Sequence, residues 1–334
     1  MATIKDVAKE AGVSVATVSR VVNKSPKASK AAIESVNAAM TKLGYRPNAN
    51  ARALVSKSTN TIGVLVADVS DPFFGSLIKA VDGVARANNK HLLIGNGYHN
   101  AEVEKEAIEL LIHNRCESLI IHSKGLSDEE LIQFSQEVPG LVIINRHIPQ
   151  ITHKCIYLDN QLGSRLATEH LIESGHQHLA YINSNQQIDD CIDRKHGFIQ
   201  ALEKHELTIN NSLLSEGEPT DEGGEKAMNE LIKNKQSFTG VVCYNDYMAA
   251  GAIAALEKAG ISVPEQVSII GFDNGLIAKY LHPKLTTIDY PISEMASQAA
   301  LLSLLLAKDE KPKTEEKVYT PTLIKRSSVH TQPQ

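Results

Sequence analysis

Two different hydrophobic periods divide the chain. Over the first 45 residues apolar side chains recur at three- and four-residue intervals. Ile4, Val7, Ala8 and Ala11 form one set, Val18, Val21 and Val22 a second, and Ala32, Ile33, Val36, Ala39, Met40 and Leu43 a third. Each is the spacing of one buried stripe on a helix. Thr3 is placed to cap the first helix, with Asp6 at its third position, and Gly12 must end it. Ser14 can cap the second helix, and the third runs from Ser29 to Leu43. Two short helices joined by a Gly-containing turn make a helix-turn-helix, here closed by a third helix. At about 100° per residue, Ala16, Ser19, Arg20 and Asn23 face away from the valine stripe of the second helix.

Gly44 and Pro47 close this segment, and NANARALVSKST follows. Asn48 can cap about two turns of good helix formers there, too short a run to hold as an isolated helix. It reads as a hinge that folds on a partner, with Leu54 as its exposed apolar residue. From Thr61 the period changes. TIGVLVAD, KHLLIGNG, SLIIHS and LVIINR read as buried parallel strands, with PFFGSLIKAVDGVARANN and NAEVEKEAIELLIHN as crossover helices, and HLAYINS, TGVVCYN and VSIIGFD repeat the arrangement. The fold class expected is a small all-α helix-turn-helix domain followed by an α/β core of two doubly wound parallel-sheet lobes. The domains run 1–46, hinge 47–60 and core 61–334. Within the core the lobes cover about 61–160 plus 291–320, and 161–290 plus 321–330.

Charge follows the same division. Residues 1–60 hold ten Lys or Arg against three Asp or Glu, whereas the remainder holds 24 against 36. A basic head on an acidic body suits a nucleic-acid anchor on a sensing body, because neutralised phosphates supply most non-specific DNA affinity. With no apolar run near the roughly 20 residues of a membrane helix and no apolar leader core, a cytoplasmic protein without membrane contact is expected. Cys116, Cys155, Cys191 and Cys243 are widely spaced, which favours reduced, mostly buried thiols over a disulfide framework or a metal site. Catalysis finds no support: there is no phosphate loop of the GxxxxGKS type and no GxSxG, and the lone GNG at Gly95–Gly97 is too weak. The carboxylate pairs Glu129–Glu130 and Asp189–Asp190 read as solvated helix or loop positions.

Ligands of doubly wound sheets sit beyond the carboxyl ends of the strands. The residues there are Asp68 to Phe74, Asn145 and Arg146, Asn183 to Asn185, Asn245 and Asp246, and Asp273 and Asn274. Planar polar groups able to clamp vicinal hydroxyls, together with two adjacent aromatic rings, suit a sugar. Singly, Asp68, Asp71 or Asp273 could equally cap the next helix, Phe73 and Phe74 could be core, and Arg146 and Arg194 could be surface ion pairs.

TIKDVAKEAGVSVATVSRVVN, GYRPNANARAL, DVSDPFF, YNDYMAAGA, VSIIGFDN and LTTIDYP, in this order, resemble the lactose/galactose repressor family of bacterial transcription factors, and within it the galactose-responsive branch. The resemblance implies a repressor of sugar transport or utilisation genes, released from a palindromic double-stranded operator when a sugar, D-galactose by this branch, binds the core. It implies a homodimer, able to associate further on looped DNA, and no cofactor. A corepressor-dependent, purine-type regulator of the same family remains the alternative. By resemblance Val15, Ala16 and Arg20 face bases, Ser14, Thr17 and Ser19 lie near phosphate with Thr3 and Asn23 beside them, and Asn48, Ala51 and the minor-groove wedge Leu54 act in the hinge. The matching effector positions are Asp71, Phe73, Phe74, Asn145, Arg146, Arg194, Asn245, Asp273 and Tyr290. Arg194, Asn245 and Asp273 are expected as the hydroxyl clamp and Phe73 as the stacking face. Two departures from the pattern bear on the pocket: Pro219 stands where many relatives carry an aromatic, and Asn274 where many carry a second Asp.

Overall fold

The computed structural model describes residues 2–23, 25–45, 59–310 and 317–332. The chain divides into two units, Met1–Thr59 and Asn60–Gln334. The hinge residues Asn48, Ala51 and Leu54 lie outside the described residues.

In the first unit α1 (Ile4–Glu10) begins at Thr3, whose side chain and that of Asp6 cap each other reciprocally. Gly12 follows it at φ +65°, a left-handed conformation open to glycine at no steric cost. Ser14 caps α2 (Val15–Val22) and Ser29 caps α3 (Lys30–Lys42). Val7, Val18 and Val36, one from each helix, are fully buried against one another's cluster. Ile33 is a correction: it is 38% exposed. It lies about 60° around α3 from Val36, at the margin of the stripe rather than on it.

The second unit holds two six-stranded sheets. The first contains β1 (Thr61–Val66), β2 (His91–Asn96), β3 (Ser118–Ile121), β4 (Leu141–Ile144), β5 (Cys155–Leu158) and β11 (Lys317–Tyr319), in the order β11-β5-β4-β3-β1-β2. The second contains β6 (Leu179–Ser184), β7 (Leu214–Gly217), β8 (Gly240–Cys243), β9 (Ser268–Asp273), β10 (Thr286–Asp289) and β12 (Thr322–Ile324), in the order β12-β10-β9-β8-β6-β7. Without their last strands both sheets have the doubly wound order 2-1-3-4-5, whose strand order reverses beside the first strand. The expectation of parallel, buried strands needs two corrections. β12 runs antiparallel to β10, and β2 is an edge strand that is only half-buried, because a single neighbour covers it.

The chain passes between the sheets three times: after β5, after β10 and after β11. The helix Ile292–Leu306 packs on β3, β4 and the helix Pro72–Ala87 of the first lobe, while Asn160–Glu173 packs on β8, β9, β10 and β12 of the second. One apolar cluster joins the lobes, running from Val64 and Ile144 through Tyr290 and Ala296 to Ala167 and Phe272.

Glycine sets the closest helix contact. Asp221–Lys233 and Asp246–Lys258 lie backbone to backbone, so a Cβ on Gly251 would stand 1.9 Å from the Asp221 carbonyl oxygen and one on Gly224 2.2 Å from that of Met248. This contact brings the starts of both helices, and with them Thr220 and Asn245, to one edge of the sheet. Gly251→Ala is expected to lower core stability by roughly 1–3 kcal/mol through overpacking. Gly83→Ala, at an exposed helical site with open space, should leave stability unchanged or raise it by up to about 1 kcal/mol. Urea unfolding of the two variants measures the contrast.

Candidate functional site

Helix α2 presents one polar face. Val15 is 42% exposed, Ala16, Arg20 and Asn23 are exposed, and Ser19 is half-buried. Local bonds fix the short side chains: Ser14 accepts from the Thr17 amide at 3.1 Å, its hydroxyl meets that of Thr17 at 2.9 Å, and Asn23 Nδ2 donates to Ser19 Oγ at 3.3 Å. Thr3 is occupied by its capping bonds to Asp6. The Arg20 side chain is exposed and makes no hydrogen bond among the described residues.

In the second unit the carboxyl ends of both sheets open on one cavity of about 1080 Å³. Its first-lobe wall includes Asp71, Phe73, Phe74, His99, His122 and Asn145, and its second-lobe wall Asp190, Arg194, Tyr244, Asn245, Asp246 and Asp273. Tyr290 sits where the chain returns from the second sheet to the first. Arg194 is 3% exposed. Its Nε donates to Asn160 Oδ1 at 2.9 Å and its Nη1 to the Tyr244 carbonyl at 2.6 Å, while Asp273 Oδ1 lies 3.7 Å from Nη2. The guanidinium carbon stands 3.6 Å from the centroid of the Phe272 ring. A planar cation over an aromatic face is held in position as well as stabilised. Asp273 itself adopts φ +105°, a conformation costly for any residue with a Cβ.

Most of the expected residues come together here. Asp71 caps the helix Pro72–Ala87 through the Phe73 amide at 2.8 Å and also lines the cavity, so capping and lining are not alternatives. Phe73 meets Phe74 and Tyr290 edge to face, at centroid distances of 5.2 and 5.0 Å. Asn245 spends both ends of its amide on the protein, accepting from Met248 N at 2.8 Å and donating to the Pro219 carbonyl at 3.0 Å. Arg146 is the exception. It turns out of the cavity to donate to the Leu126 carbonyl at 2.8 Å and to pair with Asp128 at 2.7 Å, because the tight backbone at Asn145, φ +61°, separates the directions of neighbouring side chains.

Among the described residues, four cavity-lining atoms are buried without a hydrogen-bond partner: His99 Nδ1, His122 Nδ1, Asn145 Oδ1 and Tyr290 Oη. Buried polar atoms normally have partners, and leaving one unmade costs about 1–3 kcal/mol. Burial pushes the His122 imidazole down to about 3, so it is neutral and can both donate and accept. His122, His99 and Tyr244 were not singled out by the sequence, although His122 follows SLII directly at the end of β3. Asp190 is a further correction: it is not solvated but 6% exposed, accepting from Asn145 Nδ2 at 2.9 Å and paired with Lys124 at 2.7 Å. Burial pushes its carboxyl up, but Lys124 and Arg194 outweigh that and hold it below the usual carboxylate range.

Both departures acquire a physical account. Pro219 lines the cavity, but Tyr247 and Tyr98 line it as well and supply aromatic surface. Asn274 accepts from Arg326 Nη2 at 2.5 Å and donates to Asp289 Oδ1 at 2.6 Å. An Asp there would set two carboxylates against each other, so the amide is what this pairing requires.

Residues 3–48 match the family of bacterial regulatory proteins named lacI, and residues 168–329 the periplasmic binding protein-like domain. The chain is 52% identical over 332 residues to the HTH-type transcriptional regulator GalR of Escherichia coli (strain K12), covering 99% of this chain and 96% of that one. It is 49% identical over 329 residues to the regulator GalS of Salmonella typhimurium (strain LT2), with 98% and 97% covered. The chain belongs to the LacI family. Among solved structures, the Lac repressor dimer bound to operator and the anti-inducer ONPF superimposes with a TM-score of 0.88 at 26% identity, covering 98% of this chain and 99% of that one. As a LacI-family member the chain is a DNA-binding transcriptional regulator with a sugar-binding type of core, and not an enzyme. No helix among the described residues is long and apolar enough to cross a membrane.

The core of this chain is expected to gain a pH dependence from a second buried carboxylate. Asp246, 1% exposed, accepts from Gly275 N at 2.7 Å and Thr287 Oγ1 at 2.6 Å. Burial pushes its carboxyl up to about 7, and burial raises Asp273 as well. The folded chain therefore keeps protons that the unfolded chain has released above about pH 4, so this contribution to stability is lost as pH rises toward 7. Asp246→Asn is expected to flatten the fall in the urea midpoint between pH 5 and 7.5; an unchanged slope would place the titration elsewhere.

Proposed function

We propose that this LacI-family regulator is a sugar-released repressor whose effector is D-galactose, and that a homodimer reads a palindromic operator. The observation that carries the sugar reading is the set of four unpartnered polar atoms facing one cavity beside the Arg194–Asp273 pair and the Phe73 and Tyr290 rings. A polyol can satisfy such atoms from several directions at once, while its C–H faces lie on the rings. Galactose is favoured by the roughly 50% identity to the GalR and GalS regulators over nearly the whole chain. A LacI-family regulator from Enterococcus faecium with bound ribose, TM-score 0.73 at 29% identity, supports the sugar class.

On the DNA side, α2 enters the major groove, where Arg20 bonds bidentately to a guanine while Val15 and Ala16 give apolar contact, such as to a thymine methyl. Ser14, Thr17 and Ser19 lie along the phosphates, with Thr3 and Asn23 flanking them. In the hinge, Asn48 and Ala51 approach the minor groove and Leu54 wedges between base steps. Two-fold symmetry matches the palindrome and doubles the phosphate contacts; association of two dimers across looped DNA extends the same logic. Sugar favours a lobe arrangement that opposes hinge formation, and a coupling of about 1–3 kcal/mol changes DNA affinity 5- to 150-fold.

A thermal-shift panel of hexoses and purines tests the effector. D-galactose at about 100 times its Kd should add roughly 2.7 kcal/mol to core stability, and Arg194→Met should abolish the shift. A purine that raises melting and tightens DNA binding, with no sugar acting, would replace the inducer reading by the corepressor one. For the DNA face, duplexes selected from a random pool by the wild-type chain should lose roughly 1–3 kcal/mol of affinity for Arg20→Ala, with little change on unselected duplexes. Equal loss on both would make Arg20 a phosphate contact.

A further inference from the structure

A buried ion pair between the lobes, Lys124–Asp190, stands at the margin of the cavity. Lys124 follows β3 in the first lobe, and Asp190 opens the helix Asp189–Lys204 in the second. Their side chains are 2% and 8% exposed and meet at 2.7 Å. Lys124 Nζ also donates to the Asn145 carbonyl of its own lobe at 2.5 Å.

The backbone that carries Lys124 is fastened from below. Glu104, fully buried, accepts from Ser123 Oγ at 2.5 Å, Lys124 N at 3.2 Å, Gly125 N at 3.0 Å and Leu126 N at 3.1 Å. Space for this carboxylate arm comes from Gly97, where a Cβ would stand 2.5 Å from Glu104 Cγ. On the other side the connection continues. Asn160 Nδ2 reaches Asp190 Oδ1 at 3.5 Å, and Asn160 Oδ1 accepts from Arg194, which faces Asp273. A chain of polar contacts thus runs from a rigid loop of the first lobe to the hydroxyl clamp of the second.

Lys124 does not itself line the cavity, whereas Asp190 does. We infer that Lys124 is a positioning residue for the effector site: by holding Asp190 across the lobe boundary it fixes the separation of the two cavity walls at which a sugar can contact both. This rests on the sugar reading of the cavity. A ligand touching Asn145 and His122 on one wall and Arg194 and Asp273 on the other must otherwise order the walls itself, and binds more weakly for it. Removing one member of a buried pair also leaves the other charge uncompensated.

The test uses full-length protein and D-galactose, within a panel of hexoses, by isothermal calorimetry with urea unfolding alongside. Lys124→Met is expected to weaken D-galactose binding by roughly tenfold or more, the scale of a lost charge-assisted bond. Lys124→Arg should recover most of that affinity, because it can still span to Asp190. Should Lys124→Met fold poorly, the double variant Lys124→Met/Asp190→Asn removes both charges, and it should regain stability without regaining affinity. Variants that lose stability yet bind D-galactose as the wild type does would make the pair merely structural and overturn the inference while leaving the sugar reading intact. A wild-type chain that binds no hexose of the panel overturns the sugar reading, and the inference falls with it.

Discussion

A guanidinium cannot be taken out of water alone, and much of the second lobe's cavity edge is arranged around that constraint at Arg194. Its charge faces Asp273 at 3.7 Å, two of its nitrogens are spent on Asn160 and the Tyr244 carbonyl, and its flat face covers Phe272. Those partners come from three separate stretches of chain, at 160, 244 and 272–273. The cation therefore ties together the start of one helix, the end of β8 and the end of β9. Removing any one partner would leave an expensive group in place, which is why such a site is stiff before any ligand arrives. Stiffness in turn lets the remaining polar atoms of the cavity stay unpartnered without the walls collapsing to satisfy them.

Legibility from sequence followed the physics of each level. The caps Thr3 and Ser14 and the buried strands were readable because each depends on neighbours in sequence. Edge effects were not: β2 has the apolar run of an interior strand but only one partner. Ile33 has the right residue type at the wrong angle. In the cavity, rules about strand ends found Asp71, Asn145, Asn245 and Asp273, whereas Arg194, inside the helix Asp189–Lys204, came from the family resemblance. The rules failed at Arg146, whose direction depends on a positive φ one residue earlier, and at Asp190, whose burial depends on a lysine 66 positions away. Nothing local in DDCIDR marks that aspartate as interior.

Asn274 shows how a departure from a family pattern can be a consequence rather than a loss. An amide has one acceptor and one donor end, and here the two ends face a cation, Arg326, and an anion, Asp289. A carboxylate could serve only the first. The substitution thus belongs with Arg326 and Asp289 as a set, and it removes a negative charge from beside Asp246 and Asp273, two carboxyls that burial already disfavours in their ionised form.

The three passages of the chain between the sheets impose an order on biosynthesis. A ribosome delivers β1 to β5 first, yet the first lobe still lacks the helix Ile292–Leu306 that packs on β3 and β4 and the outer strand β11 beside β5. The second lobe, begun a hundred residues later, has five of its six strands once residue 289 has emerged. The lobe synthesised first is therefore completed late, its apolar face covered only when the last eighth of the chain arrives.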